Sequence, residues 1–229
     1  MKMKKTALLL GVGLMVVGLM IFPTEQSQAQ VRFGIKGGIN FANMKYEAQD
    51  ETSGVPDANS FTSYHVGVIA DVPIASVLSL QPGVMLTSVG SKVEAGNEDV
   101  GGTYTMNPLY VRVPVNILFK PNLGGGTKLY VGVGPYVGFG VGGKVSVDGN
   151  VGDIEGGTDR DLKFGNDSGD DLKSRDIGGN VLAGIEFSSG FLLGAQYGMS
   201  FTNNAPNGDD NADNILKNKV LSVSVGYLF

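Results

Sequence analysis

Hydrophobic and polar residues alternate strictly along most of this chain, beginning at residue 31. From Val31 to Phe41 one face reads Val, Phe, Ile, Gly, Ile, Phe, and the other reads Arg, Gly, Lys, Gly, Asn. A period of two is typical of a β-strand with one apolar and one polar face. The pattern recurs seven more times. It predicts eight strands, at residues 31–41, 61–72, 78–89, 104–119, 128–141, 176–187, 191–201 and 218–229.

The connections between these predicted strands alternate in length. Long polar stretches cover residues 47–60, 90–103, 142–175 and 202–217, and short turns cover residues 73–77, 120–127 and 188–190. Membrane barrels have long loops on one rim and short turns on the other. The sequence therefore predicts an all-β fold, an eight-stranded antiparallel up-and-down transmembrane β-barrel with both ends at the short-turn rim.

Three features favour a membrane barrel over a soluble, lipocalin-like barrel, whose strands also alternate. The predicted strands have about the length that a tilted strand needs to cross a bilayer. Glycines crowd the polar face, which suits the narrow interior of an eight-stranded barrel. Aromatic residues gather near strand ends, as in a girdle at the membrane interface. Those residues are Phe33, Phe41, Tyr46, Phe61, Tyr64, Phe119, Phe187, Phe191, Phe201, Tyr227 and Phe229.

The first 29 residues have the pattern of a secretory signal peptide. Residues 1–5 carry three lysines, residues 7–22 are apolar without a charge, and the small residues Ser27 and Ala29 follow. This order predicts cleavage after Ala29, with the outer-membrane β-barrel domain at residues 30–229. The alternative is an uncleaved membrane anchor. The apolar run is shorter than the roughly 20 residues that a spanning helix needs.

The amino-acid composition excludes several kinds of functional site. The chain has no cysteine, which excludes disulfides, thiolate metal sites and cysteine nucleophiles. A net charge of -5 argues against nucleic-acid binding, which requires a basic patch. His65 is the single histidine, and neither a metalloprotease motif nor a serine-protease arrangement surrounds it in the sequence. We therefore predict no enzyme activity, no catalytic residue, no cofactor and no metal site.

Five short motifs follow one another along the chain in a characteristic order. They are FGIKGGINFAN at 33–43, LYVRVPVN at 109–116, GVGPYVG at 132–138, GAQYG at 194–198 and LSVSVGYLF at 221–229. This set resembles the PorT-like outer-membrane β-barrel family, small OmpA/OmpX-like barrels of Gram-negative bacteria. The resemblance implies an outer-membrane location and a shared fold without one shared activity. It also implies that Phe229 is the C-terminal signal read by the barrel-assembly machinery. Arg112 stands where that family carries an acidic residue, which implies different internal charge pairing.

The polar face of the strands places charged side chains inside the barrel. The predicted lumen cluster consists of Arg32, Lys36, His65, Asp71, Arg112 and Glu186, together with the amides Asn116 and Gln196. Strand direction puts Arg32, Asp71 and Glu186 near the short-turn rim. It puts Lys36, His65, Arg112 and Gln196 higher. Because buried charges are costly unless paired, we predict a polar plug that fills the lumen. The alternative is a narrow conduit or a small-ligand pocket.

The third long loop, residues 142–175, is rich in acidic residues. With Asp176 at the start of the next predicted strand included, its carboxylates are Asp148, Asp153, Glu155, Asp159, Asp161, Asp167, Asp170, Asp171 and Asp176. We predict a solvated surface loop, with weak divalent-ion binding or a protein contact as alternatives. The predicted function is a structural or surface-interaction role through the long extracellular loops. Expected partners are outer-membrane lipid, lipopolysaccharide, the assembly machinery and a possible protein partner. Transport through the lumen is the alternative.

Overall fold

The computed structural model describes residues 30–47, 59–97, 100–149, 157–165, 170–204 and 215–229. No helix in these residues is long and apolar enough to cross a membrane. The described part contains eleven strands. They are β1 (Arg32–Glu47), β2 (Asn59–Ala75), β3 (Leu78–Ser88), β4 (Ser91–Asn97), β5 (Val100–Phe119), β6 (Asn122–Gly124), β7 (Thr127–Gly149), β8 (Thr158–Asp161), β9 (Arg175–Glu186), β10 (Phe191–Ser200) and β11 (Ile215–Leu228).

Eight of these strands close into a ring. The order is β1, β2, β3, β5, β7, β9, β10 and β11, and β11 pairs back with β1, every pairing being antiparallel. The closing pair runs from Gly34↔Leu228 to Glu47↔Ile215. The predicted eight-stranded antiparallel barrel is thus confirmed. The remaining strands, β4, β6 and β8, lie outside the ring and pair with β5 or β7.

The strands extend further at the long-loop end than the sequence predicted. Residues 90–103 and 142–175 were predicted as loops, and this was wrong for parts of both. β4 pairs with β5 from Ser91↔Met106 to Asn97↔Val100, and β7 continues to Gly149, where β8 pairs with it. The glycines after Val141 interrupt the alternation, so the strand was predicted to end there. In the structure Gly143 has a φ of 152°, and alternation resumes beyond it.

The outer wall of the ring is a continuous apolar belt. Its large hydrophobic side chains are exposed on every strand of the ring, and the residues between them face inward. Examples are Ile35, Val68, Leu78, Ile117, Val133, Val181, Leu193 and Val225. A wall of this kind is stable in lipid, because the closed ring also pairs the backbone groups that lipid cannot solvate. The belt defines the membrane-spanning part of the barrel.

Replacing Val181 by arginine is expected to lower the free energy of unfolding by about 2–4 kcal/mol, because it puts a charge on the lipid face near mid-membrane. Val181 is 59% exposed on this face. Ile74, which is 58% exposed near the short-turn rim, is the matched control. Its arginine variant is expected to cost about 0–1 kcal/mol. Urea titrations in lipid vesicles measure both values. Equal costs would contradict the position assigned to the belt.

Candidate functional site

Four charged side chains meet inside the short-turn end of the barrel. Arg32 lies 2.7 Å from Asp71 and 2.7 Å from Glu186, through different guanidinium nitrogens. Lys120 Nζ lies 2.8 Å from Asp71 Oδ2 and 2.5 Å from Glu186 Oε2. Two cations balance two carboxylates, and Lys120, Asp71 and Glu186 are all buried. We call these four residues the short-turn cluster.

Lys120 is the member that the sequence analysis missed. It follows the last residue of β5 and was assigned to the turn at residues 120–127. On β5 the even-numbered residues Arg112, Asn116 and Leu118 face inward. Lys120 continues this phase by one more step. Extending the alternation through the predicted turn was the signal that could have found it.

A second polar network lies higher in the barrel, around His65. Its Nδ1 lies 2.7 Å from Asn40 Oδ1 and its Nε2 lies 3.0 Å from Ser224 Oγ. Ser222 Oγ also donates to Asn40 Oδ1, at 2.8 Å. The order serine, histidine, asparagine has the connectivity of a hydrolase triad. However, Ser224 is only 4% exposed and does not line the central cavity that His65 lines. The network joins β1, β2 and β11.

The third group of charges is the Arg112–Asp176 pair. Arg112 Nη2 lies 2.8 Å from Asp176 Oδ2, and the Ser200 hydroxyl donates to the same carboxylate. The Arg112 guanidinium also lies 4.5 Å from the ring centroid of Tyr136, as in a cation–π contact. Counting Asp176 with the carboxylates of a solvated loop was wrong. It is fully buried because it lies on β9 in phase with the inward-facing Asn180.

Part of the third long loop folds back over the long-loop end of the barrel. Tyr110 and Leu172 are fully buried there, and the rings of Tyr110 and Phe164 pack edge to face with centroids 5.5 Å apart. A Cβ at Gly140 would collide with the Phe164 ring, so a glycine is required there. The prediction of a wholly solvated loop was therefore wrong for this segment. We call Tyr110, Phe164 and Leu172 the cap.

Among the cavities of the described barrel are a central one and one at the short-turn mouth, on opposite sides of an apolar layer. The central cavity, about 40 Å³, is lined by Lys36, His65 and Arg112 among others. That volume holds about three water molecules. A cavity of about 310 Å³ at the short-turn mouth is lined by residues that include Lys120 and Lys128. The layer between them consists of Ile69, Met85, Leu118, Tyr130, Leu182, Leu192 and Leu228.

The six residues of the predicted lumen cluster all lie inside the barrel, at two levels. Arg32, Asp71 and Glu186 join the short-turn cluster. Lys36, His65 and Arg112 line the central cavity instead, so the six do not form one group. Among the described residues, no group of three or more histidine and carboxylate side chains could hold a metal ion.

The two remaining predicted positions are at the chain ends. Phe229 is exposed, and its backbone N–H donates to the carbonyl oxygen of Phe33 at 2.8 Å. Its ring packs against Tyr227 with centroids 5.5 Å apart. The backbone hydrogen bond to Phe33 anchors Phe229 to the first strand. Ala29, the predicted cleavage position, lies outside the described residues.

An ion pair on the surface connects β8 to the segment that precedes β9. Arg160 makes two hydrogen bonds to Asp171, at 2.7 and 2.5 Å, and the backbone N–H of Lys163 donates to Asp171 at 2.8 Å. The hydrogen bonds from the Arg160 guanidinium are the main cause that lowers the pKa of Asp171 below its ordinary value. The pair therefore holds the folded-back loop segment in place while Asp171 is ionised.

Acid is expected to loosen this segment. Because folding lowers the pKa of Asp171, the stabilisation is present above the ordinary aspartate value of about 4. It is lost as the pH falls through the lower, folded value. Hydrogen–deuterium exchange of residues 158–164 is expected to accelerate at acid pH relative to the barrel strands, after correction for intrinsic rates. Asp171→Asn is the control, and it should exchange fast already at pH 7. An equal acid response in both proteins would contradict this role of the pair.

The closed ring, the apolar belt and the polar interior agree with a comparison against protein families. Residues 25–205 match the family described as outer membrane protein beta-barrel domain. The chain belongs to this family. It is accordingly an integral β-barrel protein of the outer membrane, as the sequence analysis predicted.

Solved structures give a more distant comparison for this outer-membrane barrel. Ail of Yersinia pestis, solved with the heparin analogue sucrose octasulfate, is 13% identical, with 87% of this chain and 99% of that chain covered and a TM-score of 0.41. OprG of Pseudomonas aeruginosa is 12% identical, with 90% and 99% covered and a TM-score of 0.43. Neisserial surface protein A is 15% identical, with 86% and 97% covered and a TM-score of 0.43. No curated protein matches the chain.

Proposed function

We propose that this barrel is a non-enzymatic outer-membrane protein with a closed lumen, and that it acts through an ordered surface at its long-loop end. The observation that carries the proposal is the extension of β5 and β7 beyond the barrel. There they pair with β4 and β8 over a buried apolar group made of Met106, Val145, Leu162 and Leu172. We call the paired segments of β4, β5, β7 and β8 the outer platform.

The filled interior supports the closed lumen. The short-turn cluster, the apolar layer and the cap lie one above the other, and each is built mostly from buried side chains. An eight-stranded barrel has an interior just wide enough for such side chains. Transport through the lumen would require all three levels to rearrange. For this reason we favour the surface role over the channel.

The outer platform suits a contact with polar partners. In outer-membrane barrels the short turns face the periplasm and the longer loops face the cell exterior. The same orientation here exposes β8, with Asp159, Arg160 and Asp161, outside the membrane. Acidic and basic side chains alternate along this edge strand. We propose lipopolysaccharide head groups or another surface protein as the partner.

Photo-crosslinking in intact cells tests the proposal. A photoreactive amino acid at Asp159 is expected to give adducts with lipopolysaccharide or with a protein. The matched control is Leu123, which is 60% exposed in the opposite, short-turn rim. It should give no lipopolysaccharide adduct. Adducts from Leu123 alone, or none from Asp159 when the protein is fully folded, would contradict a surface role of the outer platform.

A second set of proposals concerns how the protein is exported, how it is assembled into the membrane and to which subfamily it belongs. We propose that residues 1–29, which lie outside the described residues, are removed after Ala29, and that the assembly machinery reads Phe229. The charged, apolar and small-residue order of the N-terminus supports the first statement. The order of the five short motifs supports a PorT-like assignment. Mass spectrometry of purified protein is expected to find Gln30 as the first residue. A chain beginning at Met1 would contradict cleavage.

A further inference from the structure

The central cavity contains more positive than negative charge. Above the short-turn cluster, the described interior side chains include two cations, Lys36 and Arg112, and one carboxylate, Asp176. Arg112 is paired with Asp176 at 2.8 Å. Lys36 Nζ has no carboxylate within 4.0 Å in the described part of the chain, and it donates to Gln196 Oε1 at 3.3 Å. An amide oxygen offers a dipole without balancing the charge. The cavity therefore has an excess of one positive charge.

Unpaired hydrogen-bonding atoms belong to the same cavity. Arg112 Nε and Asn116 Oδ1 are buried and have no partner, and both residues line the cavity together with Lys36. Buried polar groups are normally hydrogen-bonded to protein or to ordered water. A donor, an acceptor and an ammonium without a counter-ion around one space fit contents that carry negative charge and can also bind water. Water alone would satisfy the two atoms but not the charge.

We propose that the central cavity binds one small inorganic anion of the size of a halide, in contact with Lys36 Nζ. The volume of about 40 Å³ has room for about three waters, which fits one monatomic anion and one or two waters. Larger organic anions do not fit. The anion neutralises a charge that is otherwise costly in the interior of a membrane barrel. It is a structural ligand above the apolar layer, whose Ile69 and Met85 line the cavity, and this site is independent of the outer platform.

Bromide is the probe for this site, because it substitutes for chloride and scatters anomalously. Protein refolded and crystallised in bromide is expected to give an anomalous peak inside the barrel, at ion-pair distance from Lys36 Nζ. The Lys36→Met variant should lack this peak. Bromide confined to the outer surface, or a peak unchanged in Lys36→Met, would overturn the proposal. If the variant does not fold, the presence or absence of the bromide peak near Lys36 Nζ in the wild type decides the question.

Stability in different salts provides the second measurement. Refolding in isethionate, an anion too large for the cavity, is expected to lower the unfolding temperature of the wild type relative to chloride at equal ionic strength. Lys36→Met should show the same unfolding temperature in both salts. Lys128→Met is the matched control, because Lys128 lines the short-turn mouth and not the central cavity. It should keep the chloride effect. Loss of the effect in Lys128→Met but not in Lys36→Met would overturn the assignment to the central cavity.

Discussion

Replacing Lys120 by methionine is expected to lower the free energy of unfolding of the barrel by about 3–5 kcal/mol, the cost of breaking a buried charge pair. Methionine keeps most of the length of the side chain but removes the ammonium from between Asp71 and Glu186. Arg32 then faces two buried carboxylates alone. Guanidinium titrations in detergent micelles, followed by tyrosine fluorescence and circular dichroism, measure the loss.

A second substitution separates charge from packing in the short-turn cluster. Adding Glu186→Gln to the Lys120→Met variant restores equal numbers of cations and carboxylates, and most of the lost stability is expected to return. Lys128→Met removes a positive charge at the same rim. Lys128 lies opposite Glu186 in the sheet but is in none of the described ion pairs of the cluster, so its loss should cost far less. A loss below about 1 kcal/mol in Lys120→Met would contradict the role of the buried ion pairs, because exposed pairs contribute only that much.

Replacing Arg112 by methionine is expected to have a similarly large effect, about 3–5 kcal/mol. Asp176 is fully buried and would lose its only cationic partner among the described residues. The cation–π contact with Tyr136 would disappear as well. The same guanidinium titrations measure this loss.

The double variant Arg112→Met with Asp176→Asn tests the physical cause. It removes the unpaired carboxylate while leaving the volume nearly unchanged, so it is expected to be clearly more stable than Arg112→Met alone. Its remaining deficit estimates what the Tyr136 contact contributes. If the double variant were as unstable as the single one, loss of packing rather than an uncompensated charge would explain the effect.

The strands of the barrel could be predicted from the sequence because lipid imposes a simple rule. Between Val31 and Phe41 each second residue faces the membrane, and any polar residue there would be costly. Beyond the membrane this constraint ends. Residues such as Lys144 and Ser146 then follow no lipid-imposed rule, and Gly142 and Gly143 interrupt the alternation before it resumes, so the extension of β7 to Gly149 was not predicted.

The interior was only partly predictable for a different reason. The alternation of polar and apolar residues shows that Arg32 and Asp71 face inward. It does not show which side chains meet across the ring. Arg32 and Glu186 are on strands far apart in sequence, and their contact depends on the register and closure of the whole barrel. Asp176 and Lys120 were missed because they lie at strand ends, where the sequence does not show the boundary between strand and loop.

Stability and function are linked through the filled interior. In the proposed function, the charges that pair inside the barrel rigidify its wall and also close the lumen. The candidate surface for interaction is then the outer platform, which the strands of the barrel hold in place by continuing into it. If the proposal holds, substitutions in the outer platform change the binding of partners, whereas substitutions in the interior change the stability of the barrel.

Single-channel recording in planar lipid bilayers tests the closed lumen most directly. Purified protein is inserted into the bilayer, and protease accessibility of the long-loop end confirms that the barrels are folded and inserted. The account predicts a flat baseline without discrete current steps over the voltage range in which the bilayer is stable. Reproducible steps that depend on the number of inserted barrels would contradict it and would establish the channel.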